Sequence, residues 1–298
     1  MINFVNAKIN IGLNVVAKRP DGYHDLETVF FPVGLECGLP HQPQPFDDIL
    51  EVAYDTTTGV SGCRFQFVGR RIDCPPKKNL VVRAASEFLN RYNERYNDLQ
   101  KFGMFEITLD KHLPDGAGLG GGSADAAFTI KLLNETTGSH FSEEELASMA
   151  VKLGADCPFF LVNRPCFAEG VGEILNPIEL DLKGYTLLII KPDDIHVSTA
   201  EAFSGIKPHK PEFDLRFLPY LPVEEWKEKV VNDFETTLFK IHPGLEAIKD
   251  VLYNTGAVYA SMTGSGSAIY GIYKDFSLAD QQRANFASTY SDVWLFGL

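Results

Sequence analysis

The sequence predicts an α+β protein in two lobes, residues 1–165 and 166–298. Segments with apolar residues at every second position stand beside segments with apolar residues at helical spacing. Their order lacks the strict strand–helix–strand alternation that builds a parallel α/β sheet. The size agrees: 298 residues, 45% of them hydrophobic, are enough for two ordinary domains with packed cores.

Taken in order, residues 2–16 read as a strand, because Ile9, Ile11, Leu13 and Val15 alternate with Asn10, Gly12 and Asn14. The alternation predicts one buried face and puts Lys8, Asn10 and Asn14 on the other. Lys18–His24 is a turn-forming cluster, and 26–35 reads as a second strand. The Pro-rich stretch 36–48 reads as a surface connection. Strands follow over 49–53 and 64–68, then a helix over 79–92 and a strand over 104–109. Next come Gly116, Gly118, Gly120, Gly121 and Gly122, which lead through Ser123 into a helix stopped by Gly138. Ser142 with Glu145 three residues on predicts a capping box for the following helix, which ends near Gly154. Strands read over 166–174 and 185–191, and a loop with short helices over 192–222. Helices read over 223–239 and 244–254, strands over 258–262 and 268–273, a helix over 278–290 and a strand over 293–296.

Charge narrows the partners. The formal net charge of −13 leaves no basic excess to neutralise a nucleic acid or an anionic membrane, so neither is expected. A small anion held by a few local cations is compatible, and Lys8, Lys18, Arg19 and Lys111 lie nearest the motifs. Five cysteines, without C-x-x-C spacing, predict a reduced cytoplasmic protein with no zinc site. The N-terminus lacks the basic segment and long apolar core of a signal peptide. The oligomeric state stays open between a monomer and a weak homodimer.

The glycine loop is the strongest chemical signal. A glycine run feeding a helix N-terminus presents free backbone N–H groups at the positive end of the helix dipole, a ready phosphate site. Gly116–Gly121 satisfies G-x-G-x-x-G, but the acidic residue of a dinucleotide site has no counterpart ending a following strand. The loop closes as Gly122-Ser123-Ala124, which is not a Walker ending. Ser123 reads equally as a phosphate or magnesium ligand and as a helix cap. Met262–Ala268, MTGSGSA, reads as a hairpin turn or as a second wall of the phosphate site. Asp156, two residues before Pro158, reads as an N-cap or as a carboxylate that accepts the proton of an alcohol being phosphorylated. Lys8 is a candidate cation for holding such a carboxylate ionised.

Together these motifs resemble the galactokinase–homoserine kinase–mevalonate kinase–phosphomevalonate kinase (GHMP) superfamily. The resemblance lies in Ala7-Lys8-Ile9-Asn10, Pro114–Ala124 and Thr263-Gly264-Ser265-Gly266. Arg19–Leu26 and Gly154–Phe160 point within it to the members that act on CDP-methylerythritol in the non-mevalonate route to isoprenoid precursors. The resemblance implies a two-lobed fold with the active site in the cleft between lobes, the N-terminal lobe binding ATP, and Mg²⁺ accompanying it. It implies nucleotide binding by Pro114, Gly116, Gly118, Gly120, Gly121, Gly122 and Ser123, with Asn79 and Lys111 at the adenosine end. Asp156 matches the general base and Lys8 its cationic partner. Asn10, Gly264 and Ser265 match substrate-side positions, and His24 matches the reader of the cytosine edge. Tyr23 and Phe203 match residues stacking on that ring, as aromatic faces do at small entropic cost. The alternatives are another small-alcohol kinase of the superfamily, a non-catalytic nucleotide-binding regulator, and a dinucleotide oxidoreductase.

Overall fold

The computed structural model describes residues 1–34, 44–55, 62–72, 74–97 and 103–298. Most of the Pro-rich 36–48 connection, with Cys37, lies outside them. In chain order the strands are β1 (Ile2–Val5), β2 (Lys8–Lys18), β3 (His24–Pro32), β4 (Asp48–Asp55), β5 (Gly62–Gly69), β6 (Met104–Lys111), β7 (Cys166–Glu169), β8 (Ile174–Pro177), β9 (Thr186–Lys191), β10 (Tyr259–Met262), β11 (Ile269–Tyr273) and β12 (Asp292–Gly297). The helices are α1 (Leu80–Tyr96), α2 (Gly121–Thr137), α3 (Glu143–Val151), α4 (Cys157–Val162), α5 (Thr199–Phe203), α6 (Trp226–Lys229), α7 (Asp233–Ile241), α8 (Pro243–Asn254) and α9 (Phe276–Ala287).

These elements form two compact units that interleave along the chain. The first holds residues 1–7, the described residues of 44–115, and 120–163; the second holds 8–34, 116–119 and 164–298. The sequence reading divides the chain once, at 165. The structure has a border between 163 and 164, but residues 8–34 and 116–119 group with the C-terminal half. The cause is strand pairing: β2 and β3 pair with β7 and β8 rather than with β1.

In the first unit the sheet order is β1-β4-β6-β5, antiparallel except for the parallel β5–β6 pair. The helix α2 packs against α1, α3 and α4 and against β4. Being covered on most sides, it is buried from Ala124 to Ile130 and carries small residues where neighbours approach. It stops at left-handed Gly138, as the sequence predicts. The Ser142–Glu145 capping box is formed in both directions.

The second unit holds two antiparallel sheets, β2-β3-β7-β8 and β10-β11-β9-β12. Its core gathers Leu13 and Val15 with Ile190, Phe234, Leu238, Ile248, Leu252 and Met262.

Four sequence expectations change. Residues 2–16 are two strands in different sheets, broken at Asn6 and Ala7, where Asn6 exchanges reciprocal amide hydrogen bonds with Asn163. The second of these strands is buried on both faces from Lys8 to Val15, so Lys8, Asn10 and Asn14 do not share an open face. Gly12 interrupts the register there, and a Cβ on it would stand 2.8 Å from Leu215 Cδ2. The strand read over 166–174 is β7 alone, which turns through left-handed Gly170 and Gly172 to pair with β8. Residues 223–239 are not one helix. The chain leaves α6 at Val230 and restarts at α7 under an Asn232 cap.

Candidate active site

The glycine segment changes unit between Leu119 and Gly120. Gly116, Gly118 and Gly120 are left-handed, with φ of 67°, 76° and 75°. At Gly118 the requirement is twofold, because a Cβ would also stand 2.0 Å from the Thr263 carbonyl oxygen. Gly120 is the N-cap of α2, and no side chain caps the first turn. The helix thus starts with backbone donors aimed out of its end, the chemistry of an anion site. Ser123 is the third residue of α2, so it is not the cap. A methyl on Gly154 would meet Cys157 Sγ at 3.4 Å and Ser123 Oγ at 3.8 Å, so the serine lies beside the turn that carries Asp156. Burial pushes the Cys157 thiol up to about 12, against the opposing hydrogen bond with Ser123. Asp156 precedes α4, but its side chain does not cap that helix. Pro114 is buried and Gly116 exposed in the approach to the loop.

Two expected nucleotide residues have internal partners. The Asn79 side chain caps α1 by accepting from Val81 N at 2.9 Å. Lys111 ends β6 with only 2% of its surface exposed, and its ammonium donates to Asp48 Oδ2 at 2.5 Å and Asp125 Oδ2 at 2.8 Å. Burial alone would lower the Lys111 pKa, but the two carboxylates outweigh it and hold the ammonium above its ordinary value. Asp125 is pushed well above the carboxylate range, first by burial and then by Asp48, with Lys111 opposing. The triad lies under the loop: a Cβ on Gly121 would stand 3.0 Å from Lys111 Nζ.

In the second unit Lys8 and Asn10 form a buried pair on β2. Lys8, 2% exposed, donates to Asn10 Oδ1 at 2.5 Å, and its ammonium lies 4.9 Å from the Phe30 ring centroid. Asn10 Nδ2 donates to Thr28 Oγ1 at 3.0 Å, and its carbonyl accepts from Tyr270 OH at 2.8 Å. Asn10 N donates to Thr263 Oγ1 at 3.0 Å, and that hydroxyl donates to Gly118 O at 3.0 Å. Gly264 is left-handed, and a Cβ on it would stand 3.2 Å from Asn10 Oδ1. The two glycine motifs therefore meet through Thr263, with Gly264 beside Asn10 and Ser265 next in the same turn.

His24 opens β3 after a turn closed by Arg19 N donating to Tyr23 O at 2.8 Å. Its ring stacks on Phe203 with centroids 4.7 Å apart and planes 20° apart. Phe203 packs edge-on against Phe234. Tyr23 is 65% exposed. The sequence reading sets Phe203 across a base from Tyr23; in this structure Phe203 lies against His24.

Residues 79–164 match the model of the GHMP kinases N terminal domain, and 223–292 that of the GHMP kinases C terminal domain. A 4-diphosphocytidyl-2-C-methyl-D-erythritol kinase of Bacteroides thetaiotaomicron is 49% identical over 274 residues, 92% of each chain. One of Parabacteroides distasonis is 45% identical over 296 residues, 99% of this chain and 98% of its own. The chain belongs to the 4-diphosphocytidyl-2-C-methyl-D-erythritol kinase family of GHMP kinases. A crystal structure of 4-(cytidine 5'-diphospho)-2C-methyl-D-erythritol kinase matches with a TM-score of 0.79 at 29% identity, covering 99% of this chain and 98% of that one. A homoserine kinase from Cytophaga hutchinsonii shares the fold, with a TM-score of 0.66 at 17% identity. The α+β class and the kinase fold are thus those the sequence predicts.

Sequence reasoning missed Thr28, Thr263 as a hydrogen-bonding residue, Tyr270, and the Asp48 and Asp125 partners of Lys111. No spacing rule brings Thr28 or Tyr270 to Asn10, since those contacts come from strand pairing and sheet packing. Asp125 was findable as a carboxylate among the small apolar residues of α2. No helix among the described residues is long and apolar enough to cross a membrane.

Proposed function

We propose that the chain transfers the γ-phosphoryl group of ATP to the 2-hydroxyl of 4-diphosphocytidyl-2-C-methyl-D-erythritol. Its membership of that kinase family at 49% identity over 92% of both chains is the observation that carries the reading. ATP fits the loop, because the uncapped start of α2 and the left-handed glycines offer backbone donors without side-chain obstruction. The phosphates lie on Gly116, Gly118, Gly120, Gly121, Gly122 and Ser123, with Pro114 opening the loop and Asn79 towards the adenosine. Lys111 acts from beneath: committed to Asp48 and Asp125, it fixes the first turn of α2.

Among the described residues no group of three or more His, Cys, Asp or Glu could hold a metal ion. Mg²⁺ carried on nucleotide phosphates keeps several waters and takes few protein ligands, so it needs no such group. The Ser123 hydroxyl would hold it, and the ion would neutralise phosphate charge.

The acceptor 2-oxygen forms a bond to the γ-phosphorus as the bond from that phosphorus to the β–γ bridging oxygen breaks, releasing ADP. Asp156 takes the hydroxyl proton, and the Lys8 ammonium, aimed by Asn10, stabilises the negative charge. Gly264 and Ser265 lie on the acceptor side. At the cytidine end His24 reads the base edge and Tyr23 supplies a ring face, with Phe203 stacked against the His24 ring.

A coupled ADP-release assay over a panel of acceptors tests this. Rapid ADP release with CDP-methylerythritol and near-background release with mevalonate, homoserine or no acceptor is the expected result. Preference for another alcohol, or release independent of any acceptor, would overturn it.

A further inference from the structure

Asn232 caps α7, and its side chain uses both ends. Its oxygen accepts from Phe234 N at 3.1 Å, an ordinary N-cap bond. Its amide nitrogen donates away from the helix, to Met262 O at 2.8 Å and Gly264 O at 2.9 Å. A cap requires only the first of these. The other two hold the backbone on both sides of Thr263.

Nearby side chains complete the bracket. Glu235 accepts from Met262 N at 2.7 Å and from Ser261 Oγ at 3.0 Å. Met262 is therefore gripped through both backbone polar groups by the first turn of α7. That turn is itself fastened to β2: Asp233 Oδ2 accepts from Val15 N at 2.7 Å, and Leu13 N donates to Val231 O at 2.8 Å. Asn232 and Glu235 are buried, so water competes weakly for these bonds.

We infer that Asn232 is a positioning residue for phosphoryl transfer: its amide fixes the Thr263–Ser265 turn, and through the Thr263 hydroxyl it fixes Asn10, Lys8 and Gly118. Thr263 can accept from Asn10 N and donate to Gly118 O only while its own backbone is held. Gly264 closes against Asn10 Oδ1, the atom that receives the Lys8 ammonium. Releasing the turn lets the Lys8–Asn10 pair drift relative to the loop, and sub-ångström errors in such groups are costly in rate.

The role in catalysis rests on the kinase reading above, and the test separates the two. Asn232→Asp keeps the cap, since aspartate is as good an N-cap as asparagine, but it removes both donors and turns a carboxylate oxygen towards two carbonyls. Ser261→Ala is the control. It breaks the bond to Glu235 and the longer one from Ser261 Oγ to Met262 O at 3.3 Å, and leaves both Asn232 bonds, to Met262 O and Gly264 O, in place. In Asn232→Asp, kcat with CDP-methylerythritol falls roughly 10- to 100-fold, and amide hydrogen exchange across 262–268 accelerates. Ser261→Ala loses stability and keeps kcat. A kcat within about threefold of wild type in Asn232→Asp, or a loss equal to that of Ser261→Ala, would overturn the inference. If the wild-type enzyme does not turn over this acceptor, the kinase reading fails on its own. Unchanged exchange across 262–268 in Asn232→Asp would then still refute the clamp.

Discussion

Replacing Gly118 by alanine introduces a methyl carbon 2.0 Å from the Thr263 carbonyl oxygen, at a backbone φ of 76°. Two costs add. The left-handed conformation of a non-glycine residue costs roughly 1–2 kcal/mol. The overlap must be relieved by moving backbone, because the Thr263 amide donates to Ala268 O and its hydroxyl joins Asn10 to Gly118. Overpacking of that kind adds about 1–3 kcal/mol. Gly116→Ala isolates the first cost, since Gly116 has a φ of 67° and nothing lies within 4 Å of its added Cβ. Denaturant unfolding of both variants should show Gly118→Ala less stable than Gly116→Ala by roughly 1–3 kcal/mol. Equal losses would refute the claim that the two glycine motifs are locked together at this point.

Other consequences are as direct. Asp156→Asn should abolish turnover while ATP binding, read by calorimetry, persists; unchanged turnover removes Asp156 from the proton transfer. Lys8→Met keeps the length of a buried side chain but removes its charge, and should lower kcat by roughly 10²–10³ with the fold intact by circular dichroism. A wild-type rate would exclude Lys8 from the chemistry. Tyr23→Ala and His24→Ala should raise KM for the cytidine substrate with little change in KM for ATP, and an equal effect on both would move them out of the acceptor end. Asp125 has a folded-state pKa raised by burial above its unfolded value of about 3.9, so the associated stability is complete below that pH and is lost as pH rises through the folded pKa. Asp125→Asn removes this dependence, and parallel stability–pH curves for the two proteins would refute the raised pKa.

Much of the local structure was legible because its signals are local. The helix Gly121–Thr137 with its Gly138 stop, the Ser142 capping box and the strand over 104–109 depend on residues within a few positions of one another. The failures are non-local. Alternation in residues 9–15 signals a half-exposed strand, but Leu215 and its neighbours cover the second face from about 200 residues away. The helix read over 223–239 missed a break encoded by Asn232-Asp233-x-Glu235, a cap signature inside an apolar period. For the site, residue types pointed to Lys8, Asn10 and the two glycine motifs, and the structure joins these through Thr263. Lys111 shows the limit of matching by position. A lysine beside a glycine loop invites a direct role, whereas its pairing with two buried carboxylates is visible only in three dimensions.

Identification of the product by phosphorus NMR tests the central claim most directly. With the wild-type enzyme, ATP and CDP-methylerythritol, the account predicts a new phosphomonoester resonance on a product whose diphosphate bridge is intact, formed one-for-one with ADP. ADP accompanied only by inorganic phosphate, or a product altered at its diphosphate bridge, would contradict it.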